Sequence, residues 1–173
     1  MKLLLERDPS LYFSVSAKTR APRPEEVDGR DYRFIGEDEF DRLIANDAFL
    51  EWAQMFGHRS GTLRGPVDEA RREGRDVLLE IDVQGSRTVK ERVPDAVLVF
   101  ITPPSREELE RRLRDRGTED AGELEERLNV AFQKELPEQS RFDHVIVNDD
   151  LLRAAEEVLA IIESYRKEPR NRT

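Results

Sequence analysis

The chain has 173 residues, about the length of one domain, and 39% of them are charged, with a net charge of −9. This acidic balance disfavours non-specific binding to nucleic acid. No run approaches the ~18 apolar residues of a membrane span, and the first residues do not have the pattern of a signal peptide. Without cysteine there is no disulfide or thiol chemistry. Of the 29 basic residues 24 are arginine, which suits phosphate and carboxylate ligands, although a compositional preference is the plainer interpretation.

The first half of the chain predicts short strands with little helix between them. In order, the pattern predicts the end of a helix before Asp8, a strand at 12–16, a loop at 17–31, a strand at 32–35, a helix at 37–46, strands at 49–56 and 58–61, and a helix at 66–73. Gly74 is expected to end that last helix. Residues 14–62 therefore suggest an inserted lobe of more antiparallel character.

From residue 76 onward, strands alternate with helices. The prediction is a strand at 76–82, a helix at 84–93, a strand at 96–101 buried on both faces, helices at about 105–116 and 121–135, a buried strand at 144–147, a helix at 151–165 and a frayed tail at 167–173. Ser105 and Glu108 form a capping-box pattern. This alternation indicates right-handed βαβ units and a parallel sheet.

A proline-stiffened loop carries two arginines, Arg20 and Arg23, on either side of Pro22. Because proline removes backbone freedom, both guanidinium groups can be held toward one point. That arrangement suits a doubly charged phosphate, to which the hydroxyl of Tyr32 could also donate. The plainer interpretation is a solvated basic loop.

Two carboxylates stand at positions where a nucleotide could bind. Strict alternation would place Leu50 and Trp52 on one strand face and Glu51 on the other, where its oxygens could accept from the N1 and N2 donors of guanine. Asp82 follows an apolar strand, at the edge where open α/β sheets bind ligands, and such acids commonly hold Mg²⁺ or its waters. Two plainer interpretations are equally open: Glu51 is simply solvated, and Asp82 only caps the next helix.

Arginines also occur on two consecutive predicted helices. Arg112 and Arg116 are four residues apart and share a helix face, and Arg127 lies on the next helix. Together they suggest a mobile lid that neutralises a transferring phosphate. A surface of i,i+4 ion pairs is the alternative. His58 and His144 are isolated and are interpreted as structural.

Several short motifs occur in a specific order: Ser-Val-Ser-x-x-Thr-Arg-x-Pro-Arg, Val-Asp-Gly-x-Asp-Tyr, Phe-Leu-Glu-Trp-Ala, Leu-Glu-Ile-Asp-Val-Gln-Gly, Pro-Pro-Ser, Arg-Gly-Thr and Val-Asn-Asp-Asp. In this order and spacing the chain resembles guanylate kinase, the nucleoside monophosphate kinase that phosphorylates GMP from ATP. The resemblance extends from about Leu3 to the closing helix.

The resemblance implies roles for the matching residues. Guanine contacts are expected at Ser16, Glu51 and Asp82, with Thr62 beside them. The GMP phosphate clamp is expected at Arg20, Arg23 and Tyr32. Lid arginines that meet the ATP phosphates and the transferring group are expected at Arg112, Arg116 and Arg127. Asn148 is expected near adenine.

The same resemblance implies the fold class and the setting. It implies an α/β fold of the P-loop nucleoside monophosphate kinase type: a three-layer parallel sheet with an inserted mixed β lobe that binds GMP, and a helical lid. The expected division is a core at 1–13 and 76–166, a lid at about 105–135, a GMP-binding lobe at 14–75 and a flexible tail at 167–173. The expected partners are GMP and ATP with its Mg²⁺, with no nucleic acid or membrane, in the cytoplasm.

The sequence departs from the family pattern at two places. The family has a second phosphate-binding tyrosine where this chain has Ser60, which can donate a hydrogen bond but is shorter, and Arg59 is a candidate to compensate. We therefore expect weaker GMP binding than in a Ser60→Tyr variant, and a titration in which that variant binds no tighter would contradict this.

The larger departure concerns the P-loop, Gly-x-x-x-x-Gly-Lys-[Ser/Thr], which holds ATP phosphates. This chain has no Gly-Lys pair, and it opens on what resembles the helix after that loop. The expectation is that Met1 is an internal methionine of a longer chain. Two functions follow: a guanylate kinase, whose activity in these 173 residues is open, or a catalytically inactive guanylate-kinase-like module that recognises GMP or phosphorylated or acidic peptides.

Overall fold

The computed structural model describes residues 1–116 and 121–167. The chain forms two compact units, Met1–Ala96 and Val97–Thr173. Among the residues described, no helix has both the length and the apolar character needed to cross a membrane. The predicted tail falls outside the described residues except for Lys167, which ends the last helix.

The first unit contains four helices and six strands. The helices are α1 Lys2–Arg7, α2 Glu37–Ala45, α3 Arg64–Arg72 and α4 Val83–Arg92. The strands are β1 Tyr12–Phe13, β2 Ala17–Lys18, β3 Arg33–Phe34, β4 Phe49–Met55, β5 His58–Leu63 and β6 Val77–Leu78. Every helix and strand predicted for this unit is present, with shifted bounds. The predicted strand at 12–16 is present as β1 alone, and the prediction of a loop over 17–31 is wrong at its start, where β2 forms.

Two sheets organise this unit. A four-stranded sheet has the order β3-β2-β5-β4, in which β2 pairs parallel with β3 and antiparallel with β5. A second, parallel sheet joins β1 to β6. Apolar clusters pack around them: one is built on Ala17, Phe40 and Phe49, and the other on Leu50, Val67 and Val89. The inserted mixed sheet predicted from the sequence is therefore present.

Strand β4 contains a β-bulge that the sequence does not predict. Its register against β5 shifts between Phe49 and Glu51, so Leu50 is the extra residue. Leu50 packs with Val89 of α4, whereas the Trp52 ring meets the edge of Phe40, 6.1 Å between centroids. The prediction that Leu50 and Trp52 share a face is wrong, because the bulge turns Leu50 and Glu51 to the α4 side.

Helix α3 ends as predicted. Gly74 has a φ of +77°, the left-handed conformation that glycine adopts without a Cβ penalty. The amide of Arg75 then donates to Ala70 at 3.0 Å.

Strand β6 is shorter than predicted. Its ladder ends at Leu78, because its described partner, β1, is only two residues long. Asp82 consequently stands at the start of α4 rather than at the end of a strand.

The second unit contains three α-helices and two strands among its described residues. They are β7 Val99–Thr102, α5 Arg106–Arg116, α6 Ala121–Val130, β8 His144–Val147 and α7 Leu151–Lys167. The predicted helix at 121–135 continues past α6 as a π-helical turn, Ala131–Glu135, and a 3₁₀ segment, Leu136–Arg141, follows it.

The predicted burial of the strands in this unit is wrong. Strands β7 and β8 form a parallel pair, but Ile101 is 53% exposed, and Val145 and Val147 are similarly open. Only Ile146 on β8 is buried. This alternation is that of a sheet covered on one face.

Polar contacts complete the second unit. The Ser105 hydroxyl accepts from the amide of Glu108 at 3.2 Å, so half of the predicted capping box forms. His144 lies 3.1 Å from the Tyr165 hydroxyl, which agrees with a structural role.

Candidate functional site

One face of the four-stranded sheet carries four of the predicted site residues, Ser16, Glu51, Ser60 and Thr62. Lys18 pairs directly with Ser60, and Glu51 pairs with Thr62. Because paired residues on antiparallel strands point to the same side and alternate residues share a face, these four side chains line one surface. Ser16, two residues before Lys18, belongs to the same face and is buried.

The Glu51 end of this face is closed to solvent. Glu51 is 5% exposed, and the Thr62 hydroxyl, also buried, donates to its Oε1 at 2.6 Å. Burial raises the pKa of Glu51 above its ordinary value, and the nearby charge of Asp82 raises it further, while the Thr62 hydrogen bonds oppose the shift. The sheet thus holds a buried carboxylate whose ionisation is disfavoured by its surroundings.

The start of α4 approaches this carboxylate closely. Asp82 is the N-cap of α4, and its Oδ1 accepts from the Gly85 amide at 2.7 Å. A Cβ placed on Gly85 would lie only 2.6 Å from Glu51 Oε2. Asp82 therefore caps the helix, as one interpretation held, and also lies within electrostatic reach of Glu51. Sequence reasoning missed Gly85, although it is the last residue of the Asp-Val-Gln-Gly motif.

In the loop after β2, Arg20 is held by a carboxylate that sequence reasoning also missed. Glu26 accepts from Arg20 Nη1 at 2.6 Å and from Nη2 at 2.5 Å, and it also accepts from the Arg23 amide at 2.8 Å. These contacts lower the pKa of Glu26 to about 2. With the bond from Nη1 to the Ala21 carbonyl, three of the five guanidinium N–H groups of Arg20 are used, so two remain.

The Tyr32 ring lies beside the same loop. Lys18 Nζ is 3.9 Å from the ring centroid, and the Arg20 guanidinium carbon is 5.4 Å from it. Burial raises the pKa of Tyr32, so its hydroxyl stays a donor. Arg23 is near enough to influence this pKa electrostatically. The structure therefore brings Arg20 and Lys18 to the Tyr32 ring, with Arg23 within electrostatic reach of it.

Arg59 is held on the opposite side of β5 from Ser60. Its Nε donates to Glu37 and its Nη1 to Asp41, each at 2.6 Å, and its guanidinium lies 4.6 Å from the Phe40 ring centroid. Because neighbouring strand residues point to opposite faces, Arg59 extends away from the face that carries Ser60. The structure gives no support to compensation by Arg59.

The arginines of the second unit are described by their local contacts. Arg112 Nε donates to Glu108 Oε1 at 2.7 Å, and Arg111 pairs with the same carboxylate. Helix α5 thus has the i,i+4 ion-pair surface that was the alternative interpretation. Arg127 is half-buried on α6, and the side chain of Arg116 lies outside the described residues. The convergence of the three arginines stays a prediction.

Asn148 follows β8, where its amide donates to the Thr102 carbonyl at 2.8 Å. Among the residues described, no group of three or more His, Cys, Asp or Glu side chains is placed to hold a metal ion.

The parallel strands and the inserted mixed sheet are those of a nucleoside monophosphate kinase fold. The crystal structure of guanylate kinase from Anaplasma phagocytophilum superposes with a TM-score of 0.82 at 34% identity, over 96% of this chain and 80% of that one.

Sequence comparison identifies the family within this class of kinases. The family model described as guanylate kinase matches residues 1–165. A guanylate kinase of Mycobacterium sp. (strain MCS) is 51% identical over 94% of this chain and 82% of its own length. One of Gloeobacter violaceus is 55% identical over 88% of this chain and 74% of its own length. The chain belongs to the guanylate kinase family.

Proposed function

We propose that this chain binds GMP on the sheet face described above and transfers a phosphoryl group to it from ATP, giving GDP and ADP, in the cytoplasm. One observation carries the proposal. The face has a buried carboxylate at one end and a cluster of cations with a phenol at the other. A nucleoside monophosphate has the complementary chemistry, with hydrogen-bond donors on the base and a dianionic phosphate.

The buried end favours guanine. Guanine presents two adjacent donors, N1–H and the N2 amino group, and a carboxylate can accept from both. Glu51 supplies that acceptor with Thr62 fixing one of its oxygens, and Asp82 and Ser16 complete the proposed base site. Adenine lacks an N1–H and would leave the buried charge unpaired, which is costly.

The cationic end suits the phosphate. Arg20 keeps two free donors after its contacts with Glu26 and Ala21, and Glu26 fixes the orientation of its guanidinium group. Arg23 and Tyr32 are the other proposed ligands, and Ser60 adds a hydroxyl on the same face. Phosphate oxygens bound this way are positioned for attack with their charge partly neutralised.

The transfer itself needs position and electrostatic stabilisation rather than a covalent intermediate. We propose that Arg112, Arg116 and Arg127 meet the ATP phosphates and the transferring group, and that Asn148 lies on the adenine side. Mg²⁺ enters as part of the MgATP substrate, where it neutralises phosphate charge. In this scheme residues 14–75 are the GMP lobe, 105–135 the lid, and 1–13 with 76–166 the core.

A coupled assay of nucleotide-dependent ADP release tests the function. It is run with GMP, AMP and CMP, on this chain and on a version preceded by a strand and a P-loop. We expect release with GMP to exceed that with AMP at least tenfold in an active version. Activity of the 173-residue chain alone would overturn the expected need for the P-loop. GMP binding without ADP release in either version would instead favour the binding module.

A further inference from the structure

Lys18 stands at the cationic end of the sheet face that also carries Ser60, Thr62 and Glu51. None of the described carboxylates forms an ion pair with it. Its side chain is half-buried on the short strand β2, directly opposite Ser60. None of the described residues accepts a hydrogen bond from its Nζ, which instead rests 3.9 Å from the centroid of the Tyr32 ring. A half-buried ammonium group with three unused donors is an unusual feature for a merely structural lysine.

The surroundings of this ammonium group are electropositive. Arg20 approaches the same Tyr32 ring from 5.4 Å. Burial lowers the pKa of Lys18, and the charges of Arg20 and Arg23 lower it further, while those of Glu80 and Glu26 oppose the shift. Of the two carboxylates that act on Lys18, Glu80 and Glu26, Glu26 is already paired with Arg20. The three cations Lys18, Arg20 and Arg23 therefore outnumber the two carboxylates that act on Lys18.

We propose that Lys18 is a third cationic ligand of the substrate phosphate, beside Arg20 and Arg23, and this role rests on the proposed function. The ammonium group donates to a phosphate oxygen on the side of the site where Ser60 provides only a short hydroxyl. A dianionic phosphate would supply the charge that the cluster lacks. Tyr32 then serves as the platform that holds the ammonium group in place through its ring face while its hydroxyl donates to the phosphate.

Calorimetric titration of the full chain with GMP and with guanosine tests this role. The informative quantity is the dissociation constant of guanosine divided by that of GMP, which we call the GMP advantage. Guanosine shares the base and ribose but lacks the phosphate, so this ratio isolates the phosphate contribution. We expect Lys18→Gln to reduce the GMP advantage about tenfold, the effect of losing one charged hydrogen bond, with guanosine affinity unchanged. Adding inorganic phosphate to the guanosine titration shows whether a free phosphate occupies the same place.

Arg33→Gln is the matched control. Arg33 pairs with Ala17 in the same sheet, on the opposite face from Lys18, and its guanidinium binds Glu39. The control removes the same charge without touching the proposed ligand, so its GMP advantage should equal that of the wild type. Lys18→Arg should recover most of the advantage, because it restores a cationic donor.

The outcomes separate this inference from the proposed function. If the wild type binds GMP well and Lys18→Gln retains the full GMP advantage, Lys18 is not a phosphate ligand and the proposed function still stands. An equal loss in the Arg33→Gln control would also overturn the assignment, since it would show a general charge effect. If the wild type binds neither GMP nor guanosine, the proposed function itself fails.

Discussion

The sheet face of the first unit that carries Lys18, Ser60, Thr62 and Glu51 and helix α5 of the second unit both hold charged groups, but they hold them differently. On the face, Glu51 is fixed by Thr62, eleven residues away, and affected by Asp82 on another element. On α5, Glu108 pairs with Arg111 and Arg112 one turn along the same helix. The first arrangement exists only when the unit is folded, whereas the second needs only a helix.

Burial determines how strongly each of these charged groups affects binding and stability. Glu51 is 5% exposed, so its charge is desolvated and any change in its partners alters both binding and stability. The side chain of Arg111 is 60% exposed, and water competes for its contacts. Mutations should therefore have large effects on the sheet face and small ones on α5.

The largest effect is expected for Gly85→Ala. The new Cβ would lie 2.6 Å from Glu51 Oε2, so the carboxylate must shift away from α4. We expect GMP affinity to fall by roughly a hundredfold, the scale of losing good base contacts, measured by calorimetric titration. Gly65→Ala is the matched control near the start of α3, where a Cβ meets nothing within 4 Å. Wild-type affinity in Gly85→Ala would show that the Glu51 geometry is not needed.

Glu51→Gln should separate binding from stability. Because the pKa of Glu51 is raised in the folded protein, its ionisation opposes folding, and stability falls as the pH rises through that pKa. The glutamine cannot ionise but can still accept from Thr62. We expect the variant to unfold a few degrees higher at pH 7, equivalent to about 1 kcal/mol, and to bind GMP at least tenfold more weakly.

The measurement for Glu51→Gln is the thermal midpoint at several values between pH 4 and 8, paired with a GMP titration. The gain in stability should shrink toward pH 4, where the wild-type carboxyl is protonated too. A variant that is less stable at every pH would contradict the assignment of a costly buried charge.

Glu26→Gln is expected to have an intermediate effect. The pKa of Glu26 is about 2 against an ordinary 4.5, so its contribution to stability is present above about pH 4.5 and is lost as the pH falls toward 2. We expect a destabilisation of about 1 kcal/mol at pH 7, measured by urea unfolding, that narrows below pH 4.5. Glu25→Gln, an exposed neighbour, is the control. Equal effects of the two variants would argue against the Arg20 pair.

The smallest effect is expected for Glu108→Gln on α5. Its ion pairs are local and solvated, and surface pairs of this kind contribute little. The unfolding midpoint should stay close to that of the wild type. A shift larger than that of Glu26→Gln would mean that α5 depends on this carboxylate for more than local ion pairing.

Local features of the fold were predictable from the sequence. Gly74 ends α3 because the left-handed backbone conformation at that position favours glycine. Asp82 caps α4 because a carboxylate just before a helix can accept from the free amides of its first turn. These features depend on neighbours in the chain, so sequence patterns report them reliably.

Features that depend on register were not predictable. The adjacent apolar residues Phe49 and Leu50 interrupt the alternation without locating a bulge, so the bulge at Leu50 is visible only in the pairing with β5. Lys18 gains its place opposite Ser60 from a ladder between segments far apart in sequence. The exposure of Ile101 has the same origin, because a continuous apolar run does not show which neighbours cover it.

The bulge in β4 leaves the only tryptophan of the chain, Trp52, next to Glu51 and 42% exposed, with its ring against the edge of Phe40. Indole emission depends on solvent contact, so this residue is an intrinsic optical reporter one position away from the proposed guanine acceptor. Because the indole lies on the opposite face of β4 from Glu51, a stopped-flow change in its emission on adding GMP would time a movement of this strand rather than contact with the base.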